Sequence, residues 1–205
     1  MPERYLVQFT GAHGVGKTTL VNAVKDVLQQ NDIPVTILES GVRDLINTGV
    51  IDDVTKSSNF EKQFIITADL VLRYFETILK QQTSVILSTR TPFDVLAYSK
   101  VWKIDSKSEY LLQYISRFAI SVMEGRALFE NPKILTFYIP PNSDIPFEED
   151  GVRPGSQLQI EVDYIIRRAL EGVYPHVTLN TSDLKTRVNI VMSHLNYSMG
   201  KGFHP

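Results

Sequence analysis

Between a run of strand-forming residues, Tyr5-Leu6-Val7-Gln8-Phe9-Thr10, and an amphipathic stretch that starts at Thr18, the chain places Gly11-Ala12-His13-Gly14-Val15-Gly16-Lys17-Thr18. No other segment restricts the fold as strongly. The pattern G-x-x-x-x-G-K-[ST], directly after a strand and directly before a helix, makes a loop whose backbone N–H groups close around phosphate oxygens at a helix N-terminus. Gly11, Gly14 and Gly16 keep that approach free of side chains. Lys17 is expected to reach the β- and γ-phosphates, and Thr18 to place its hydroxyl on Mg²⁺. A glycine-rich turn that merely caps a helix would account for one or two of the glycines, but not for the Lys-Thr pair at the helix start. The expected phosphate-binding set is Gly11, Ala12, His13, Gly14, Val15, Gly16, Lys17, Thr18 and the following Thr19. His13 occupies a variable position of the loop and reads as an exposed spacer and not as a base.

Further strands are expected at Val35-Thr36-Ile37-Leu38, Val85-Ile86-Leu87 and Ile134–Ile139, with a weaker fifth at Val177-Thr178-Leu179. Helical spacing runs from Thr18 to Gln30 and from Phe60 to Gln82, where Phe64, Ala68, Val71, Phe75 and Leu79 share a face. Thr91-Pro92-Phe93-Asp94 supplies an N-cap, a first-turn proline and an acid, which starts a helix toward Val101. Other helices are expected over Ser108–Phe129, Ser156–Glu171 and Ser182–Leu195. Strands that alternate with helices predict an α/β fold: a doubly wound, five-stranded parallel sheet of the P-loop NTPase type, with helices on both faces. Pro140–Gly155 carries four prolines and an acidic stretch with no period, so it reads as a long surface loop, a lid over about 140–157. The expected organisation is a single domain over 1–197, followed by a flexible tail, 198–205.

At 205 residues and 43% hydrophobic composition the chain can bury one core without disulfides. It has no cysteine, which rules out disulfide frameworks and cysteine-based metal sites and suits a reducing compartment, so cytoplasm is the expectation. A net charge of −2 gives no general reason to bind a nucleic-acid backbone, and no apolar run is long enough to span a bilayer. The expected partner is a small molecule, with no nucleic acid and no membrane. The apolar stripes of Phe60–Gln82 and Ser108–Phe129 are open to two readings, a homodimer face or core packing.

The class of P-loop protein is narrowed by what surrounds the loop. A GTPase would supply an Asn-Lys-x-Asp segment, and none is present. A motor-type or AAA-type ATPase would close an apolar strand with acids that hold Mg²⁺ and polarise water; here the third strand ends Leu87-Ser88-Thr89-Arg90. What the chain does offer is Glu39 after the second strand, Arg43 one helical turn beyond, and Arg90 after the third. In a parallel sheet the carboxyl ends of the strands border the ligand crevice. A carboxylate and arginines beside a γ-phosphate suit transfer to a hydroxyl or phosphate acceptor, the acid orienting the nucleophile and the arginines stabilising the transferred charge. Surface ion pairing is the competing explanation for each.

Val35–Leu45, with Glu39-Ser40-Gly41-Val42-Arg43, then Ser88-Thr89-Arg90-Thr91-Pro92-Phe93-Asp94-Val95-Leu96-Ala97-Tyr98, and Asp150-Gly151-Val152-Arg153 together resemble the P-loop nucleoside and nucleotide kinases, in particular the deoxynucleoside, thymidylate and nicotinamide riboside kinase branches. The resemblance spans most of the chain, and its cradle is the specific part. It implies ATP with Mg²⁺ as donor and a small nucleoside or nucleotide as acceptor. By the same resemblance Glu39 matches the acid at the acceptor hydroxyl or metal shell, Arg90 the arginine ending the third strand, and Arg153 a lid arginine on the donor phosphates. The catalytic set implied is Lys17, Glu39, Arg90 and Arg153. Thr89 stands where most relatives carry an acid. Gln63 and Arg73, on the helix that lines the acceptor pocket in those relatives, join Glu39, Arg43 and Arg90 as candidate substrate contacts; a solvated face is the alternative for both. At most one of Arg167 and Arg168 is expected to face the site, and Asn180 is a candidate neighbour of the base. Asp94 reads first as a helix-start acid. The alternative function is a nucleotide-dependent ATPase, switch or binding protein without kinase activity, a reading that Thr89 sustains. The acceptor and the choice between ATP and GTP stay open.

Overall fold

The computed structural model describes residues 3–39, 41–52, 60–80, 83–101, 110, 113, 114, 117, 121, 132–142, 144, 156–171 and 174–200. Five parallel strands, β1 (Tyr5–Thr10), β2 (Val35–Leu38), β3 (Val85–Ser88), β4 (Lys133–Tyr138) and β5 (Val177–Thr178), form one sheet in the order β2-β3-β1-β4-β5. All six residues of β1 are buried, as required of a central strand covered on both faces. Its neighbours are in register from their first residues, Tyr5 opposite both Val85 and Lys133. Gln8 is accordingly level with Ser88 and Thr136, and Thr10 with Tyr138. The chain reaches β2 before β3, yet β3 lies against β1. The end of β3 is thereby delivered beside the loop that leaves β1.

Parallel neighbours need crossovers, and helices supply them. These are α1 (Lys17–Gln30), α2 (Val42–Asn47), α3 (Phe60–Lys80), α4 (Pro92–Val101), α5 (Ser156–Leu170) and α6 (Leu184–Met199). On one face, the side chains of Tyr5, Val7 and Phe9 pack with Leu20, Val24 and Leu28 of α1 and Val188, Val191 and Leu195 of α6. On the other, Leu6, Leu38 and Ile86 meet Tyr74 of α3, and α4 lies between α3 and α5. That second face turns polar toward the carboxyl ends of the strands, where Gln8 Nε2 donates to Thr136 Oγ1 at 2.7 Å in a buried pair.

The expected fold class stands, with shifted boundaries. β4 begins and ends one residue early, and β5 is two residues long. α2 was not expected at all, because six residues carry too little period to read. α6 starts at Leu184, capped by Asp183, whose carboxylate accepts from Thr186 N at 2.7 Å. It also runs through Met199, past the start of the expected tail, and the Tyr5 hydroxyl donates to Ser198 O at 2.8 Å. The remainder of the tail (201–205), most of the lid and most of Ser108–Phe129 lie outside the described residues.

Candidate active site

The loop between β1 and α1 is shaped from behind by backbone. Gly11 has φ 152°, and a Cβ there would run into the carbonyl oxygen of Ile139 just beyond β4. An L side chain would therefore have to move the neighbouring strand end as well as accept a strained φ. Lys17, the first residue of α1, is buried, and its ammonium donates to Ala12 O at 2.6 Å and to Gly11 O. Thr18 and Thr19, in the same turn, are exposed.

Asp94 is at the loop as well as at a helix start. It is completely buried. Its Oδ2 accepts from Thr91 N at 2.7 Å and Thr91 Oγ1 at 2.9 Å, a capping box for α4. Its Oδ1 accepts from Gly11 N at 3.3 Å and lies 4.0 Å from Lys17 Nζ. The acid missing from the end of β3 thus has a counterpart one helical turn later, tied to both ends of the loop.

His13 corrects the sequence reading, since it is 4% exposed and not a solvated spacer. Its Nδ1 is 3.0 Å from the hydroxyl of Tyr98 on α4, and its carbonyl accepts from Gln159 Nε2 of α5 at 2.7 Å. The Tyr98 ring also lies under Arg90, with Cζ 5.6 Å from the centroid, a cation–π contact. Arg90, Tyr98 and His13 therefore connect the end of β3 to the cradle. Ser88 holds the same turn by donating to Arg90 O at 2.6 Å, and Thr89 N donates to Leu38 O at 3.3 Å, joining the ends of β2 and β3.

The other candidates are distributed differently. Glu39, just past β2, and Arg43, on α2, are exposed. Arg73 pairs with Asp69 at 2.8 Å and Asp44 at 3.0 Å, clamping α3 to α2. Its pKa is raised: burial alone would lower it, but the two carboxylates more than compensate. Gln63 is 4% exposed, with its Oε1 3.4 Å from Ser99 Oγ on α4. Neither residue sits on a freely solvated face. Tyr74 is core, while Phe64 is exposed. Arg153 lies outside the described residues.

Sequence reasoning missed Arg187. It lies on α6, is 2% exposed, and sends Nη1 to Val15 O in the cradle at 2.9 Å and Nε to Thr181 O at 2.5 Å. A cleft of about 470 Å³ opens at the ends of β4 and β5, lined by Tyr138, Pro140, Asp163, Arg167 and Asn180 among others. Arg167 and not Arg168 faces it, and Asn180 borders it. The Tyr138 hydroxyl donates to Asp163 at 2.8 Å, and burial raises the pKa of both groups.

A family model described as "AAA domain" matches residues 6–187. The chain belongs to the AAA domain family. No curated protein matches this AAA domain. Among solved structures it is similar to a NadR protein in complex with NAD and AMP-PNP, at TM-score 0.71 and 16% identity. A NadR protein in complex with NR is similar at TM-score 0.73, also with 16% identity. Each alignment covers 98% of this chain and 51% of the other, so the AAA domain spans about half the length of these neighbours. The match and the shared fold bear out the expected P-loop α/β fold. No helix among the described residues is long and apolar enough to cross a membrane.

Proposed function

We propose that this AAA domain transfers the γ-phosphoryl group of Mg·ATP to a small nucleoside, nucleoside monophosphate or nicotinamide riboside. The observation that carries the reading is convergence on one loop: the cradle that holds Lys17 also holds, through His13 and Tyr98, the arginine that ends β3. Phosphoryl transfer is mostly positioning and charge stabilisation, and these are the two things such a convergence provides. Neighbours of the same fold solved with AMP-PNP, with NAD and with NR favour an adenine nucleotide donor and a ribosyl acceptor.

Lys17 and the loop amides would bind the donor phosphates. Arg90 would stabilise charge on the group in transit, while Glu39 orients the acceptor hydroxyl and Arg43, on α2, approaches the acceptor. Arg153 would close on the donor from the lid. Gln63 and Arg73, engaged between helices, would shape the acceptor wall more than touch the acceptor.

The cradle suits a magnesium nucleotide, since the missing Cβ of Gly11 lets the loop pack against the Ile139 carbonyl behind it and Thr18 presents an exposed first-turn hydroxyl. Mg²⁺ keeps several waters and needs few protein oxygens; when bound it neutralises the β- and γ-phosphates, with Thr18 as its protein ligand. ADP release from Mg·ATP, measured across nucleosides, nucleoside monophosphates and nicotinamide riboside, tests the reading. One acceptor should raise turnover well above background, and Lys17→Ala should abolish the rise. If ATP binds and no acceptor alters its fate, Thr89 marks a nucleotide-dependent switch instead.

A further inference from the structure

A buried arginine is costly to keep unless its charge and its donors are answered. Arg187 is 2% exposed, and among the described residues no carboxylate pairs with it. Its Nη2 is buried without a hydrogen-bond partner there. What it does have is two backbone carbonyls from segments far apart in sequence, Val15 in the cradle and Thr181 just beyond β5. Nη1 lies against the loop closely enough that a Cβ on Gly16 would be 3.5 Å from it. The two carbonyls belong to the two segments that would wall the donor, the loop after β1 and the loop after β5. One follows Gly14 in the cradle, and the other follows Asn180, which lines the cleft at the ends of β4 and β5. A lysine would offer the same charge but one compact donor head, whereas the planar guanidinium can hold two acceptors at a set angle.

We propose that Arg187 is a positioning residue that locks the phosphate cradle to the segment after β5, so that the phosphates and the nucleoside end of a single nucleotide are held at a fixed separation. The inference rests on the nucleotide-binding reading above. It predicts a selective loss, since a ligand that occupies only the cradle does not depend on the lock, whereas one that spans both walls does.

The test compares the dissociation constants of Mg·ATP and Mg·tripolyphosphate for the full chain and for Arg187→Met and Arg187→Lys. Arg187→Met should weaken Mg·ATP by about tenfold or more and tripolyphosphate much less, and Arg187→Lys should show the same imbalance. If Arg187→Met does not fold, Arg187→Lys alone decides the comparison. Equal weakening of both ligands would mean that the arginine merely supports the cradle, and full recovery in Arg187→Lys would mean that charge alone matters; either overturns the proposal, as does no weakening. Failure of the native chain to bind Mg·ATP overturns the nucleotide reading and this inference with it. Absence of turnover with every acceptor removes kinase chemistry only, and the ratio of the two affinities still decides the role of Arg187.

Discussion

Asp163 accepts the Tyr138 hydroxyl in the half-buried cleft, and burial nevertheless raises its carboxyl above the usual range. A carboxyl whose folded pKa exceeds its unfolded one favours the folded state below the unfolded pKa and loses that contribution as pH rises through the folded pKa. Asp163→Asn keeps an acceptor for Tyr138 and removes the charge. Its melting temperature relative to the native chain should climb between pH 4 and pH 7. Asp183 has the opposite sign: hydrogen bonds from the Thr186 side chain and backbone lower its pKa, so its contribution is present above the unfolded pKa and fades as pH falls through the folded one. Asp183→Ala should therefore cost stability at neutral pH and little in acid, read from urea unfolding at both pH values. At this scale legibility followed contiguity. Lys17 and the glycines announce their role because eight neighbouring residues share one task. Asp94 was half readable, because its capping of α4 is local while its contact with Gly11 is not. His13 and Arg187 were unreadable, because the ring of one and the guanidinium of the other are answered by residues 85 and 172 positions away.

Among the elements, the long helices were visible in their apolar spacing, whereas α2, at six residues, is too short to show one. Its position is set by contact with α3: a Cβ on Gly41 would collide with the Asp69 carboxylate and crowd the Arg73 guanidinium. Arg73 then bridges the two helices through Asp44 and Asp69. Asp44 is largely exposed, so Asp44→Asn should change stability by no more than about 0.5 kcal/mol. The same change frees α2, which carries Arg43, to move relative to α3. Steady-state kinetics should then show a several-fold higher KM for the acceptor with kcat nearly unchanged, and a fall in kcat with constant KM would remove α2 from the acceptor side.

For the molecule as a whole, alternation of strand and helix was enough to predict a parallel sheet, but not the order of its strands. That order depends on which crossover passes over which strand, a property no single segment carries. It puts β1 at the centre, and everything that grips the cradle, from α4, α5, α6 and the end of β4, thereby acts on the middle of the sheet. Nucleotide bound there should stabilise the fold globally. At a concentration one hundred times its dissociation constant, AMP-PNP should add about 2.7 kcal/mol, a rise in melting temperature of roughly 5–11 °C for a domain of this size. Lys17→Ala should lose most of the shift in a thermal melt. The bond from Arg187 to Val15 spans 172 residues, so the loop that leaves the first strand is completed by a side chain of the last helix described. The ribosome makes the cradle before β2, β3, β4 and β5, and must deliver all four of those strands before the arginine that finishes it emerges.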